Sequence, residues 1–267
     1  MRLFSLSFSA IVVTALVAGA AGQLEASEAE NHDYSHGEEA QMFVHGAPEN
    51  PTDAWTLAAG GRIYDNWWVA LDRDEPEGTH PSYPATGKKD GSTTWRCKEC
   101  HGWDYLGAEG VYRSGSHFTG IKGISEAIGM DEAEIATTMR APTHGFTAEM
   151  ISDEELARLA AFVSRGQIDM ANYVDLATRE IIAGDPDSGR AIFQTTCAVC
   201  HGFDGRSLDW GDEDGPAYVG TEAVAAPDEV MNKILNAHPG VEMINLRVFG
   251  PDVAGDVLSY IATLPQE

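Results

Sequence analysis

Every cysteine of this chain lies in one of two copies of the sequence Cys-x-x-Cys-His, each followed by glycine. The residues are Cys97, Cys100, His101, Cys197, Cys200 and His201. This spacing is the signature of covalent c-type haem attachment, in which two thiols join the two vinyl groups of one haem. The histidine then lies under the iron and supplies an axial nitrogen. Two copies therefore predict two covalently bound c-type haems, with their iron, and a redox protein.

Other interpretations of a Cys-x-x-Cys pair leave part of this pattern unexplained. A single pair is commonly a zinc half-site or a thiol redox pair. Zinc would need four ligands from two distant pairs, and the histidines would have no role. A disulfide within each pair would require an oxidising compartment and no haem. Both interpretations make the repeated His-Gly a coincidence, so the pattern favours haem.

Residues 1–20 have the features of a secretory signal peptide. A positive residue, Arg2, precedes an apolar stretch over residues 3–18, and Ala-Gly-Ala at 18–20 fits a small-residue cleavage site. The apolar run is short for a membrane span of roughly 20 residues, which favours cleavage over an uncleaved anchor. Covalent haem attachment is completed outside the cytoplasm, so the chain is predicted to be periplasmic.

The chain of 267 residues carries a formal net charge of −25 at pH 7. Such a surface repels nucleic acid and anionic lipid. It favours salt-sensitive encounters with partners that present basic patches, although solubility in a salty habitat explains it equally well. The predicted partners are other redox proteins. Nucleic acid is excluded, and membrane contact is expected only through a partner complex or an uncleaved anchor.

The sequence around the two motifs repeats. Residues 60–64 (GGRIY) and 189–193 (GRAIF) each place an aromatic residue four positions after a glycine. A glycine lets two helices cross closely, and the aromatic ring packs beside the crossing. Each unit ends in an amphipathic helix, one over 152–163 after a capping box and one over 252–264. Strand-like alternation is weak throughout, so the fold is predicted to be all-α.

The predicted organisation has five parts. They are a signal peptide (1–20), an acidic N-terminal arm (21–54), a first unit (55–166) with a long insertion loop (69–94), a linker (167–183) and a second unit (184–267). The linker is predicted to contain a short helix over 173–182. The insertion loop separates Tyr64 from Cys97, whereas Phe193 lies one helical turn before Cys197. Long loops of this kind often carry function.

This order of elements resembles class I cytochrome c, and the resemblance covers roughly residues 55–166 and 184–267. The second unit is the closer match, with Gly-Phe-Asp-Gly at 202–205 after its motif. The first unit differs from the class I pattern in its long loop, in Trp95 and in the Trp-Asp-Tyr sequence at 103–105. The resemblance implies two cytochrome c-like domains in tandem, each wrapping one covalent haem.

In that family the sixth iron ligand is usually a methionine on the loop before the closing helix. The resemblance therefore implies the metal ligands His101, Met150, His201 and Met243. Histidine–methionine ligation raises the reduction potential. His144 and His238 are the alternatives, with His117 a weaker third, and histidine–histidine ligation would lower the potential. Met130, Met139 and Met231 fit apolar packing better.

The sequence as a whole predicts a periplasmic dihaem c-type cytochrome that shuttles electrons between redox partners in a respiratory chain. It is predicted to be an electron carrier with no catalytic residues, because two six-coordinate irons leave no open position for a substrate. A haem-based periplasmic oxidoreductase, or a haem subunit of a larger respiratory complex, is the alternative. Thiosulfate dehydrogenases use a distal cysteine, and here all four cysteines belong to the two motifs.

Overall fold

A computed structural model describes residues 44–213 and 215–267. Within these ranges the chain is helical and contains no β-strand, only isolated bridges. The all-α prediction is therefore confirmed for this part of the molecule. The predicted signal peptide and the acidic arm up to residue 43 lie outside the described residues. None of the described helices is long and apolar enough to span a membrane.

The described residues belong to one compact unit. Its α-helices are α1 (Asp53–Ala70), α2 (Cys97–His101), α3 (Glu132–Arg140), α4 (Asp153–Ala161), α5 (Pro186–Ile192), α6 (Ala198–His201), α7 (Val219–Ala225), α8 (Pro227–Asn236) and α9 (Pro251–Ile261). Short π-helical segments, Phe162–Gly166 and Phe193–Cys197, extend α4 and α5. Single 3-10 turns occur at Gly91–Trp95, Val111–Arg113, Ser125–Ala127, Met170–Asn172 and Arg247–Phe249.

Helix α4 begins at the capping box that the sequence predicts. The hydroxyl of Ser152 accepts the backbone N–H of Glu155 at 3.4 Å, and the Glu155 carboxylate accepts the N–H of Ser152 at 2.8 Å. Two of the N–H groups that a helix start leaves unpaired are satisfied in this way. Leu156 and Leu159 then lie one turn apart on the buried face. This prediction is confirmed.

The adjacent glycines of α1 face two different neighbours. A Cβ on Gly60 would lie 2.2 Å from the carbonyl oxygen of Arg158 in α4. A Cβ on Gly61 would lie 2.3 Å from the side-chain amide carbon of Asn236 in α8. Both distances are shorter than atoms tolerate, so only glycine allows α1 to contact α4 and α8 this closely.

Gly189 has the same role in the second half of the chain. A Cβ at this position would lie 1.9 Å from the carbonyl oxygen of Asp256 in α9. Each half also has an aromatic pair with the same separation. The ring centres of Tyr64 and Phe162 are 5.5 Å apart, as are those of Phe193 and Tyr260. The predicted glycine crossings are confirmed, and an aromatic pair lies beside each of them.

Two hydrophobic clusters form the interior. The first cluster consists of Ile63, Tyr64, Trp67, Trp68, Ala70, Leu71, Tyr105, Ile135, Phe146, Ile151, Leu156, Leu159, Ala160, Phe162 and Val163. The second cluster consists of Met170, Tyr173, Val174, Phe193, Ala198, Val219, Ala223, Met231, Ile234, Leu235, Leu246, Ala254, Val257, Leu258, Ile261 and Leu264. Ile168 packs against both. Met231 is fully buried, which confirms its predicted packing role.

The prediction of a helix over residues 173–182 is wrong. Val174 and Ile181 form an antiparallel bridge. The Asp175 carboxylate between them accepts the backbone N–H groups of Ala177 and Thr178, at 2.7 and 3.0 Å. Aspartate competes with a helix in this way, because its side chain satisfies the next N–H groups in a turn.

Buried polar groups join the two halves of the molecule. The Tyr105 hydroxyl donates to the side-chain oxygen of Asn232 at 2.5 Å, and the Asn232 amide donates to the Trp103 carbonyl at 2.8 Å. The Asp65 carboxylate on α1 pairs with Lys233 on α8 and with Arg96. Asp65, Tyr105 and Asn232 are each at most 3% exposed. These interactions fix α8 against the first half of the chain.

Candidate functional site

The two Cys-x-x-Cys-His segments end in the same local conformation. Each closes with a glycine at positive φ, with φ 80° and ψ 163° at Gly102 and φ 80° and ψ 156° at Gly202. The N–H of each glycine donates to the carbonyl four residues earlier, at 2.9 Å in both cases. Glycine adopts this left-handed conformation without strain. The sequence repeat is therefore also a repeat of backbone geometry.

A cavity of about 520 Å³ lies beside the first motif. One side is formed by the motif itself, through Cys97, Cys100 and His101. The remaining walls include Tyr64, His80, Ser82, Thr94, Trp95, Arg96, Ile121, Lys122, Gly123, Ile124, Glu126, Ala127, Met130, Ile135, Thr138, Met139, Thr143, His144, Phe146 and Val163. A predominantly apolar cavity of this size with a few converging polar groups is the usual form of a cofactor site.

His101 is prepared to act as a metal ligand. Its Nδ1 lies 2.8 Å from the carbonyl oxygen of Lys122. A carbonyl only accepts, so Nδ1 carries the proton and Nε2 keeps its lone pair. Burial lowers the pKa of His101 to about 4, which keeps the ring neutral at neutral pH. Ligating histidines are oriented by such a bond to the other ring nitrogen.

The four cysteines are free in the structure. Burial raises the pKa of Cys97 and Cys100 to about 12 and that of Cys197 to about 11. The cause is the loss of solvent around these sulfur atoms, which disfavours the charged thiolate. Within residues 44–213 and 215–267, no group of three or more His, Cys, Asp or Glu side chains is placed to hold a metal ion. The structure gives the zinc interpretation no support.

The structure does not bring all the predicted ligands of the first motif together. Met150 is half-buried, packs against the first cluster and does not line the cavity. His144 does line it, and its ring centre is 6.2 Å from that of His101. Met130 and Met139 also reach the cavity. His117 lies elsewhere: it stacks on Tyr112 with ring centres 4.6 Å apart.

The long insertion loop forms part of the cavity wall. His80 donates from Nε2 to the carbonyl oxygen of His144 at 2.9 Å, while its Nδ1 accepts the N–H of Ser82 at 3.0 Å. The His80 ring contacts that of Trp95, with centres 4.4 Å apart. Sequence reasoning missed this role of His80, because no local pattern relates the loop to a residue 64 positions later.

The second motif is arranged differently. The ring of His201 is close to those of Phe193 and Trp210, with ring centres 6.4 and 6.0 Å away. Its Nδ1 is buried and has no hydrogen-bond partner among the described atoms, and burial lowers its pKa. Several apolar side chains of this half are more than half exposed: Val199, Phe203, Trp210, Val241, Ile244, Val248 and Phe249. Apolar exposure of this kind is typical of a surface that a ligand covers.

Met243 lies between α8 and the turn Arg247–Phe249, in a segment without regular helix, and is half-buried. The nearby His238 is exposed. Arg62 donates to the Asn236 carbonyl, and Arg96 pairs with Asp65. Both guanidinium groups therefore have protein partners.

Comparison with known proteins identifies the family. Residues 184–261 match the family described as cytochrome c oxidase, cbb3-type, subunit III. A protein described as cytochrome c-553-like, from Synechocystis sp., is 30% identical over 84 residues, covering 31% of this chain and 72% of that protein. The chain belongs to the cytochrome c family. No solved structure matches it.

A cytochrome c carries a covalently bound c-type haem with its iron, and the residues of this cytochrome c fit that group. At the first motif, two thiols and an oriented neutral imidazole border one apolar cavity. At the second, the imidazole of His201 has a buried, unpartnered nitrogen, and its ring centre is 6.0 Å from that of the exposed Trp210. Both sets have the chemistry of haem attachment and axial ligation.

Proposed function

We propose that this cytochrome c is a periplasmic dihaem electron carrier, with tandem haem domains over residues 55–166 and 184–267. The observation that carries the proposal is the repeated geometry of the two motifs, each closed by a glycine with φ 80° and nearly equal ψ. The family match covers only the second half. The cavity beside Cys97, Cys100 and His101 supports a haem in the first half as well.

In this proposal each bound haem supplies reversible one-electron chemistry at its iron. The protein residues fix and insulate it. Cys97 and Cys100 hold one haem and Cys197 and Cys200 the other, while His101 and His201 each offer an imidazole nitrogen. The apolar walls around the first motif, including the buried Phe146, exclude water. Met243 is proposed as the sixth ligand in the second domain.

Removing one pair of thiols should remove one haem. The double variant Cys97→Ala/Cys100→Ala and its counterpart Cys197→Ala/Cys200→Ala are each expected to lose about half of the haem absorbance per polypeptide, because each cysteine pair holds one of the two proposed haems. The intact mass of the exported wild type should exceed the mature peptide mass by two haems, and that of each variant by one.

The two double variants are matched controls for each other, since both lose two thiols. A wild-type mass with a single haem, or a first-motif variant with an unchanged mass, would contradict the dihaem proposal.

Electron exchange with a basic redox protein should depend strongly on salt. With a net charge of −25, attraction accelerates the encounter at low ionic strength. We expect the second-order rate constant to fall roughly tenfold or more between about 0.01 and 0.15 M salt, as surface charges are screened. Stopped-flow absorbance measures it, and an acidic redox protein is the control, for which the rate should rise. A salt-independent rate with both would exclude an acidic docking face.

A haem subunit of a larger respiratory complex is the second candidate. The match of residues 184–261 to a family described as an oxidase subunit favours it. Cell fractionation separates the two candidates. Recovery of the haem protein as a single chain in the periplasmic fraction supports the carrier, whereas co-migration with membrane proteins under native conditions supports the subunit.

A further inference from the structure

We infer that His144 is the sixth ligand of the iron held at the first motif, so that two imidazoles, those of His101 and His144, bind this iron. The inference rests on the proposed function, since it requires a haem on Cys97 and Cys100. It replaces Met150, the ligand that the family resemblance implies, with a residue that lines the cavity.

The separation of the two rings fits one metal ion between them. A bond between a metal ion and an imidazole nitrogen is about 2 Å long, and each nitrogen lies roughly 1.1 Å from its ring centre. Two imidazoles on opposite sides of one ion therefore have centres about 6.2 Å apart. The centres of His101 and His144 are 6.2 Å apart, with planes inclined by 34°. A ring that rotates about its bond to the metal accommodates that inclination.

His144 is oriented in the same way as His101. Its Nδ1 lies 3.1 Å from the carbonyl oxygen of Thr138, just as Nδ1 of His101 lies 2.8 Å from that of Lys122. Each carbonyl requires the proton on Nδ1, which leaves Nε2 as the lone-pair nitrogen. No described residue forms a hydrogen bond with Nε2 of either ring. Both histidines thus have the backbone bond that usually orients a metal-binding imidazole.

The backbone at His144 is held from two directions. Its N–H donates to the Ala141 carbonyl at 3.0 Å, and its carbonyl accepts from His80 at 2.9 Å. Phe146, two residues later, is buried in the first cluster. The insertion loop therefore positions the ligand through His80, and the following phenylalanine anchors the segment.

The other possible ligands in this half are less well placed. Met150 lies outside the cavity lining, and Met130 is 42% exposed. Met139 reaches the cavity but packs against the first cluster from α3. His80 also lines the cavity, yet both of its ring nitrogens are engaged, one as donor and one as acceptor.

Two imidazole ligands give a lower reduction potential than histidine with methionine. The first haem would then have a lower potential than the second, where Met243 is proposed. Electrons would move from the first motif towards the second, so the donor would reduce the first domain and the acceptor would draw from the second.

Near-infrared magnetic circular dichroism of the oxidised holoprotein tests the inference, because it distinguishes two imidazoles from imidazole with thioether. The wild type should show one signature of each kind. The variant His144→Ala should lose the two-imidazole signature, bind carbon monoxide rapidly when reduced, and regain the signature with added imidazole. His144→Met should raise the lower of the two potentials. Met139→Leu and Met150→Leu, the matched controls, should keep both signatures.

The wild type alone can overturn the inference, so the test does not depend on the folding of any variant. It would do so if its mass showed two haems and its spectrum showed two imidazole–thioether signatures. So would a fully loaded His144→Ala that keeps its two-imidazole signature, or loss of a thioether signature in Met139→Leu or Met150→Leu. A mass that shows no haem on Cys97 and Cys100 would instead overturn the proposed dihaem function, and the inference with it. The two failures are therefore distinguished by the mass.

Discussion

Gly189→Val is expected to destabilise the protein by about 3 kcal/mol or more, at the upper end of the cost of overpacking a core. A Cβ at this position would lie 1.9 Å from the Asp256 carbonyl oxygen and 2.4 Å from its carbon. Both are backbone atoms, so no side-chain rotation relieves the clash and α5 must move away from α9. Denaturant unfolding followed by far-ultraviolet circular dichroism measures the loss.

Arg190→Ala is the matched control for Gly189→Val. Arg190 is the next residue of α5 and is exposed, so its removal should change the free energy of unfolding by no more than about 0.5 kcal/mol. Gly60→Val should behave like Gly189→Val, because a Cβ there would meet the Arg158 carbonyl oxygen at 2.2 Å. Stability of either valine variant within about 0.5 kcal/mol of the wild type would show that the helices do not cross at these glycines.

Asp65→Asn is expected to cost about 3 kcal/mol, the lower end of the range for breaking a buried ion pair. Asp65 is 3% exposed and pairs with both Lys233 and Arg96. Its removal leaves two cations without their carboxylate. We expect the lower end of this range because the Lys233 ammonium still has two other contacts. These are the Glu229 carboxylate at 3.8 Å and the Trp103 ring, whose centre is 5.2 Å away. Thermal or denaturant unfolding of the holoprotein measures the change.

The same variant should alter the acid sensitivity. Burial acts to raise the pKa of Asp65, but Lys233 and Arg96 outweigh it, so the pKa lies below its usual value. A lowered pKa stabilises the folded state above the unfolded-state pKa of about 3.9, and this contribution is lost as pH falls through the folded pKa. Below about pH 4, therefore, the wild type should lose the stabilisation that ionised Asp65 provides. Asp65→Asn lacks this group, so its free energy of unfolding should fall less over the same pH range. Glu229→Gln is the control, because it removes the longer and more exposed contact between Glu229 and Lys233. It should lower the free energy of unfolding by under about 1 kcal/mol at neutral pH. Equal losses of stability in the two variants would contradict the assigned role of Asp65.

The local features of this fold were predictable because they depend on neighbouring residues. The glycine four residues before an aromatic predicted both close crossings, and Ser152 with Glu155 predicted the start of α4. The wrong helix over 173–182 has a local cause as well, since the Asp175 side chain favours a turn. The signal that could have indicated this turn, an aspartate followed by Leu-Ala-Thr at 176–178, is weak in isolation.

The features that depend on distant residues were not predictable. Asp65 and Lys233 are 168 positions apart, and no periodicity relates them. The predicted ligand Met150 follows from its place before α4, whereas the cavity is formed by segments between Tyr64 and Val163 that meet only in the folded chain. For the same reason His144 could be considered from sequence but not chosen. The haem number, the ligand Met243, the domain boundaries and the compartment stay predictions for the experiments above.

The buried connection through Tyr105 and Asn232 also bears on how the molecule unfolds. Asn232 bonds both the Tyr105 hydroxyl and the Trp103 carbonyl, so opening either half exposes unpaired polar groups in the other. We therefore expect these hydrogen bonds to favour unfolding of the two halves together. A fragment ending near residue 166 would retain its own haem motif yet lack Asn232, which accepts from Tyr105, and Lys233, one of the two cations paired with Asp65. We therefore expect it to be less stable than the intact chain.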